Sequence, residues 1–363
     1  MHPTLSAGGR RLHSPREGMQ SALLRASTHG RISGRSVAGR GRGTGPTLAG
    51  MTLAARPVVD AADGRTRHYG QFYGVADLDG DDPRPVVVVL GNCQTEALRV
   101  LLDGSPAQSV RSVRVVPIFE MTADDVIHLD HLLARTDVLI VQPVADGYRG
   151  MPLGSDEIAA RLPRTTQVVR VPSFFYGGLY PWQVLVRTPE SGDPPGVPYL
   201  DLRTVLEAAT GRRPGADMAA DGIREIAAAS VAELARRQEK AGALPQADLI
   251  EPAGADACHV VNHPGNTVLV ATARRIQEAI GVPVDAVDPG RVLLSEVFAP
   301  LDSQVIEALG LAAEPRTDWR YRGETVPDEQ IREVQLAWLR EHPEIVSLGM
   351  ERHTSTAKLL GWL

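Results

Sequence analysis

The chain has 363 residues, 43% hydrophobic and 23% charged, with a formal net charge of −6. That length and apolar content are enough to bury a large core in two lobes and exclude a fibre, and no run approaches the roughly 18 to 20 consecutive apolar residues of a membrane-crossing helix. The two cysteines, Cys93 and Cys258, are far apart, so no disulfide scaffold is indicated; one long-range bridge or two unrelated thiols both fit, and a reducing, cytoplasmic setting is expected.

Residues 1–50 hold eight arginines, no lysine and one acidic residue, a balance of +7, so the rest of the chain carries −13. Segments such as Gly39-Arg40-Gly41-Arg42-Gly43 lack the apolar periodicity of a packed element, and residues 1–70 read as a disordered basic leader. It has no continuous apolar stretch of the kind a secretory signal needs. With no interleaved aromatics and an acidic body behind it, it does not point to nucleic acid as a partner. A dispensable extension, or a start at Met51, is the favoured reading.

Residues 71–198 read as an α/β lobe. The run Pro85-Val86-Val87-Val88-Val89-Leu90 predicts a fully covered strand, and Gly91 and Asn92 are turn formers. Beyond Cys93, Ala97, Leu98, Leu101 and Leu102 recur at helical spacing until Asp103-Gly104 and Pro106. Cys93 is therefore expected to open a helix. Unpaired N–H groups there favour thiolate and lower a reference pKa of about 8.5, and the same amides suit the oxyanion of a tetrahedral intermediate. A small buried cysteine that only packs fits the local pattern too.

A second strand is expected over residues 112–118. A helix follows over 122–134, with Val126, Leu129, Leu132 and Leu133 on one face, Thr122 as its cap and Asp125 three residues on. Residues 137–141 predict a third strand ending at Gln142-Pro143, and 167–171 a fourth before Pro172. Strands alternating with helices imply a parallel sheet covered on both faces. Ligands of such sheets bind beyond the carboxyl ends of the strands, a rim that would gather Cys93, Gln142 and Ser173. Asp146-Gly147-Tyr148-Arg149-Gly150 offers a guanidinium and a phenol for a phosphate or a sugar hydroxyl. The aromatics between Val171 and Trp182 fit either a packed lobe interface or a wall for an adenine ring, a pantetheine arm or a sugar face.

The Gly- and Pro-rich stretch 190–198 marks a lobe boundary, and residues 199–312 read as a mostly helical lobe. Ile223, Ile226, Val231 and Leu234 form a stripe within 217–240, and a helix over 267–280 is expected to be capped by Asn266 and closed by Gly281 and Pro283. Residues 313–363 read as a C-terminal helical extension, with one amphipathic helix over 328–340 and a featureless tail.

A thiol attacking a thioester or ester carbonyl needs a base and an oxyanion site. Of the ten histidines, His2, His13 and His29 fall in the leader, and His128 and His131 beside Asp124, Asp125 and Asp130 read as a solvated helix face. His263, in Asn262-His263-Pro264-Gly265-Asn266, lies in a loop at a helix start, where catalytic groups concentrate; a turn histidine bonded to backbone fits that context as well. Neither His128 with His131 nor Cys258, His259 and His263 completes a ligand set, so no metal is expected. The absence of GxGxxG, a Walker loop and GxSxG speaks against dinucleotide, kinase and α/β-hydrolase readings.

Taken in order, Gly91-Asn92-Cys93-Gln94, Asp137-Val138-Leu139-Ile140-Val141-Gln142-Pro143, Tyr148-Arg149-Gly150, Val171-Pro172-Ser173, Asn262-His263-Pro264-Gly265-Asn266 and Ala299-Pro300 with Leu309-Gly310-Leu311 give a pattern that resembles the WcbI polysaccharide-biosynthesis family over residues 84–312. Members are regarded as acetyltransferases that bind coenzyme A and O-acetylate a sugar of a capsular polysaccharide, with an active-site cysteine in the GNCQ motif. The resemblance implies Cys93 as nucleophile or acyl carrier, His263 as its base, an acyl-CoA donor and a carbohydrate acceptor. Beside that pair, Asn92, Gln94 and Gln142 are the expected oxyanion or positioning groups, and Arg149, Tyr148, Ser173 and Asn266 the expected donor contacts. The strand-turn-helix placement is also similar to that of SGNH-type hydrolases, with Cys93 where those carry serine. An esterase or thioesterase on the same residues and a non-catalytic CoA- or glycan-binding protein are the alternatives. The Arg- and Ala-rich, Lys-poor composition fits a high-GC bacterial source, whose acceptor would be a glycosylated metabolite or a capsule sugar.

Overall fold

A computed structural model of the chain describes residues 56–57, 59–61, 63–78 and 81–363. The disordered leader is expected over residues 1–70, of which residues 1–55 lie outside the described residues. Its far end is corrected: Gly64–His68 and Gly70–Tyr73 are short helices, and Phe72 is fully buried. The reason is tertiary. Tyr73 donates its hydroxyl to Asp125 Oδ1 at 2.7 Å and Arg65 its guanidinium to Asp125 Oδ2 at 2.9 Å, laying these helices on the helix Ala123–Leu133. They also cover His128, which is buried against the Tyr73 ring at 5.1 Å and not on a solvated face.

The central sheet is parallel, as its alternation with helices predicts. It contains β1 (Val86–Leu90), β2 (Arg111–Val113), β3 (Val138–Val141) and β4 (Gln167–Arg170) in the order β2-β1-β3-β4. Every residue of β1 and β3 is buried, which is why both read as unbroken β-branched runs rather than alternating ones. The expected 112–118 strand stops at Val113, and Ile118 instead donates its N–H to the Gly91 carbonyl at 3.0 Å, beside the turn that follows β1. One face of the sheet packs on Leu129, Leu132 and Leu133. The other packs on Ala97, Leu98, Leu101 and Leu102 of the helix Cys93–Asp103 together with Leu269, Ala273 and Ile276 of the helix Asn266–Ile280.

A second body of structure follows. β5 (Gln183–Val184) pairs with β6 (Leu200–Asp201), and β7 (Cys258–Val260) forms a hairpin with β8 (His263–Pro264). β9 (Val297–Phe298), β10 (Trp319–Tyr321) and β11 (Glu324–Val326) make a three-stranded antiparallel sheet in the order β11-β10-β9. The helices Leu202–Thr210, Ala220–Ala241, Asp328–Glu341 and Pro343–Leu359 pack around them. Phe174, Tyr176, Tyr180 and Trp182 are core residues here, and Trp182 meets Trp319 edge to face at 5.8 Å. The tail read as featureless is the 17-residue helix Pro343–Leu359. Its buried stripe, Ile345, Gly349, His353 and Ala357, repeats every four residues but contains one glycine and one histidine, so it carries little hydrophobic signal. Gly349 is required by contact: a Cβ there would lie 2.9 Å from Val205 Cγ1. Cys93 and Cys258 are both free thiols, and no helix among the described residues is long and apolar enough to cross a membrane.

Candidate functional site

At the carboxyl end of β1 the chain turns through Gly91 directly into the helix Cys93–Asp103. A Cβ on Gly91 would sit 2.4 Å from Gln142 Oε1 and 2.6 Å from Thr95 Cγ2, so the turn admits no side chain. Asn92 is the N-cap, its Oδ1 accepting from the Gln94 N–H at 2.9 Å. Two buried glutamines then lock the turn. Gln142 Oε1 accepts from the Asn92 N–H at 2.9 Å, and Gln142 Nε2 donates to Gln94 Oε1 at 3.0 Å. Gln94 Oε1 also accepts from the Phe174 N–H at 2.9 Å, while Gln94 Nε2 donates to the carbonyls of Phe174 at 3.0 Å and Asn262 at 2.7 Å.

This network ties the post-β1 turn to the segment after β4 and to the loop that carries His263. Its result is a close pair: Cys93 Sγ lies 3.7 Å from His263 Nε2. Asn262 is held on its other side by the Tyr199 hydroxyl, which donates to Asn262 Oδ1 at 2.7 Å, and the Tyr199 ring meets the His263 ring edge-on at 6.4 Å. Tyr199 gave no signal in the sequence, where it simply follows a loop rich in Gly and Pro.

The electrostatics reverse one expectation. The Cys93 and Gln94 amides do favour thiolate, but burial outweighs them and pushes the thiol up to about 11. Burial likewise pushes His263 down to about 4. At neutral pH the pair is a neutral thiol beside a neutral imidazole, and His263 becomes a base only as the sulfur loses its proton to it.

The remaining expected residues divide. Ser173 is half-buried on the same rim, next to the Phe174 amide held by Gln94. Arg149 sits in a left-handed turn (φ 54°) within Tyr148–Gly150 and donates to the Phe119 carbonyl. Tyr148 is half-buried, with its hydroxyl in the field of both Arg149 and Arg187. Arg187, unremarked in the sequence, pairs with Asp193, and its charge also reaches Tyr199. Asn266 is not the cap of its helix but its first residue, Gly265 being the cap. Its side chain is committed to the loop that follows: Oδ1 accepts from the Leu293 N–H at 2.9 Å, and Nδ2 donates to Asp288 at 3.0 Å and the Arg291 carbonyl at 2.9 Å. Asp256 takes the capping role, accepting from the Thr267 N–H at 3.0 Å. Among the described residues no group of three or more His, Cys, Asp or Glu side chains is placed to hold a metal ion.

Burial of histidine has a consequence for stability. His259, His263 and His353 are all pushed down to about 4 by burial, against about 6.5 in an unfolded chain. Between those values the unfolded state binds more protons, so stability is fully present above about pH 6.5 and is lost as pH falls toward 4. Each residue contributes on the order of 1 to 3 kcal/mol to that slope. Calorimetry is expected to give a Tm that drops steeply from pH 6.5 to 4.5, and His353→Gln, in the C-terminal helix, should flatten the fall. A Tm constant across that window would contradict the buried neutral state.

A family model described as polysaccharide biosynthesis enzyme WcbI matches residues 86–285. A solved structure described as WcbI, a novel polysaccharide biosynthesis enzyme, in its native form without a disulfide bond between coenzyme A and a cysteine, superimposes with a TM-score of 0.64 at 19% identity. The match covers 76% of this chain and 99% of that one, a likeness of fold. No curated protein matches the chain.

Proposed function

The chain belongs to the WcbI family of polysaccharide biosynthesis enzymes, and from that premise we propose that it is an acyl-CoA-dependent O-acyltransferase, with acetyl as the group moved and a sugar hydroxyl as the acceptor. The observation that carries the reading is the 3.7 Å approach of Cys93 Sγ to His263 Nε2 at a helix N-terminus on the sheet's carboxyl rim. That a solved WcbI is described as native and without a disulfide bond between coenzyme A and a cysteine supports coenzyme A as the molecule presented to Cys93. In this reading the lobe of residues 71–198 brings the thiol, the lobe of 199–312 the imidazole, and 313–363 buttresses the second lobe.

As Sγ attacks the thioester carbonyl, its proton passes to His263 Nε2. The Cys93 N–H faces the developing oxyanion; Asn92, its Oδ1 held by the Gln94 amide, has Nδ2 left as a second donor. The C–S bond to CoA breaks and the CoA sulfur takes the proton back from His263. An acceptor hydroxyl then gives its proton to Nε2 while its oxygen attacks the acyl-cysteine, and Cys93 leaves and is reprotonated. Arg149 and Arg187, whose charges both act on Tyr148, suit the phosphates of the donor, and Ser173 on the rim is a further donor contact in this reading. A cytoplasmic bacterial setting, where acyl-CoA is at hand, goes with this reading.

Intact-protein mass spectrometry after acetyl-CoA treatment tests it. One acetyl group on the wild type and none on Cys93→Ala is expected. No adduct on the wild type together with full transfer in Cys93→Ala would sink the covalent route. The high thiol pKa favours one second reading, direct transfer, in which His263 activates the hydroxyl and Cys93 only positions the donor. Hydrolysis of acyl-CoA indifferent to glycoside or aminoglycoside acceptors would make the protein a thioesterase. Calorimetric binding without turnover, unaffected by Cys93→Ser, would make it a binding protein.

A further inference from the structure

The helix start at Cys93 holds fewer free donors than its position suggests. A helix leaves its first amides unpaired, but here Asn92 uses two of them: its Oδ1 accepts from the Gln94 N–H at 2.9 Å and its carbonyl from the Thr95 N–H at 3.0 Å. Of the first three amides, the Cys93 N–H alone has no acceptor among the described residues. A tetrahedral intermediate on Sγ therefore needs side-chain donors to complete its oxyanion hole.

Asn262 carries such a donor. It closes the turn between β7 and β8 and immediately precedes His263. The turn is clamped from three sides: Gln94 Nε2 donates to the Asn262 carbonyl at 2.7 Å, the Tyr176 N–H to the Val261 carbonyl at 2.7 Å, and the Val261 N–H to Gln183 Oε1 at 2.9 Å. The side chain is held by Tyr199, whose hydroxyl donates to Asn262 Oδ1 at 2.7 Å. Tyr199 is in turn fixed, buried with its ring stacked on Trp319 at 6.5 Å, while Trp319 donates Nε1 to Asp328 Oδ1 at 2.9 Å. With Oδ1 turned to Tyr199, Nδ2 points away from it across the planar amide. Nδ2 has no acceptor among the described residues and is not sealed in the interior. The same Tyr199 ring meets the His263 ring edge-on, and its hydroxyl lies within the field of Cys93. The fold thus uses Asn262 through its carbonyl and Oδ1 and leaves Nδ2 idle beside the reactive pair. A donor already held in place counts most toward a charge that develops during reaction.

We infer that Asn262 is a further catalytic residue of this site: its Nδ2 donates to the oxyanion that forms when Cys93 attacks an acyl carbonyl, and Tyr199 is the positioning residue that keeps the amide turned for it. The inference deepens the acyltransferase reading and rests on it only in needing an acyl carbonyl at Cys93, whatever the leaving group. In that step the bond from Sγ to the carbonyl carbon forms, the carbonyl π pair moves onto oxygen, and the thiol proton passes to His263 Nε2. The oxygen then returns its pair as the leaving group departs and takes up the proton.

The test uses the full chain and p-nitrophenyl acetate, an activated ester that needs no CoA site. Acylation of Cys93, followed as p-nitrophenolate release less that of Cys93→Ala, is expected to slow about 100- to 1,000-fold in Asn262→Ala. It should slow about tenfold in Tyr199→Phe, which loses one hydrogen bond, and Tyr199→Phe should add nothing further in the Asn262→Ala background. Both variants keep the Asn262 carbonyl and with it the Gln94 tether. Alkylation of Cys93 by iodoacetamide, a displacement that forms no oxyanion, should therefore stay within about twofold of the wild type in each. Alkylation that falls in step with acylation would mean that Asn262 only places His263. Acylation of Asn262→Ala at the wild-type rate, or a wild type inert to the ester, would mean that Nδ2 serves no oxyanion. Each of these overturns the inference. The expected losses with the ester, but no reaction with acetyl-CoA, would leave it standing and remove the proposed function instead. Acetyl transfer from CoA through Cys93 that is equally fast in Asn262→Ala would do the reverse.

Discussion

Cys93→Ala and His263→Ala are each expected to lower acyl transfer by about 100- to 10,000-fold, and the double variant to be no worse than the more damaged single one. Sγ and Nε2 lie 3.7 Å apart, and in the proposed route one proton shuttles between them, so removing either partner removes the shared event. Effects that multiply would mean independent roles and would favour direct transfer. The pH profile gives a second measure. With the thiol near 11 and the imidazole near 4, the neutral pair is the dominant form between those values. The kcat/KM profile of the free enzyme should therefore stay level through neutral pH, with limbs only toward those two extremes. A resting thiolate–imidazolium pair would instead place both limbs closer to neutrality, and a bell centred near pH 7 would contradict the burial described above.

Gln94→Ala is expected to cost the fold about 3 to 5 kcal/mol, read as a fall in Tm or in the denaturant midpoint. The side chain is 3% exposed and makes four hydrogen bonds, to Phe174 twice, to Gln142 and to Asn262. Its loss strands the Phe174 N–H and the Gln142 amide in the interior, each at about 1 to 3 kcal/mol, and leaves a cavity between the two lobes. Gln94→Met, of similar length but without the partners, separates the polar loss from the volume. If Gln94→Met were as stable as the wild type, the network would be packing and not a clamp. Amide exchange at Phe174 should rise in both variants, and alkylation of Cys93 should lose its dependence on His263, since the Asn262 carbonyl is the tether of that loop.

Particular residues mark how far sequence reading went. The Val86–Leu90 strand, the Cys93 helix and its Asn92 cap were legible because their signals are local: β-branched runs, turn formers and a 3.6-residue period. Gln94 and Gln142 were expected as oxyanion or positioning groups, and the sequence did not say which backbone groups they hold. A glutamine in sequence does not say whether it faces a substrate or, as here, three backbone segments. Asn266 misled because its neighbours look like a cap, whereas the close approach of Asp256 at Gly265, where a Cβ would lie 2.0 Å from the Asp256 carbonyl oxygen, shifts the helix start by one residue. The helix Pro343–Leu359 was missed because its buried face is built on Gly349 and His353, whose fit depends on Val205 and on burial from other elements.

The sequence by itself determined the parallel sheet, the reactive-looking turn at its rim and, through ordered short motifs, the family. Those properties depend on residues near one another in the chain. Only the tertiary structure decided that Cys93 and His263 meet, that both are neutral there, and that Tyr199 closes on His263 and its Asn262 neighbour. Separations in space and the loss of water around a group come from segments 100 residues or more apart closing on each other, and desolvation then overrides the local helix-end field from which a low thiol pKa was expected.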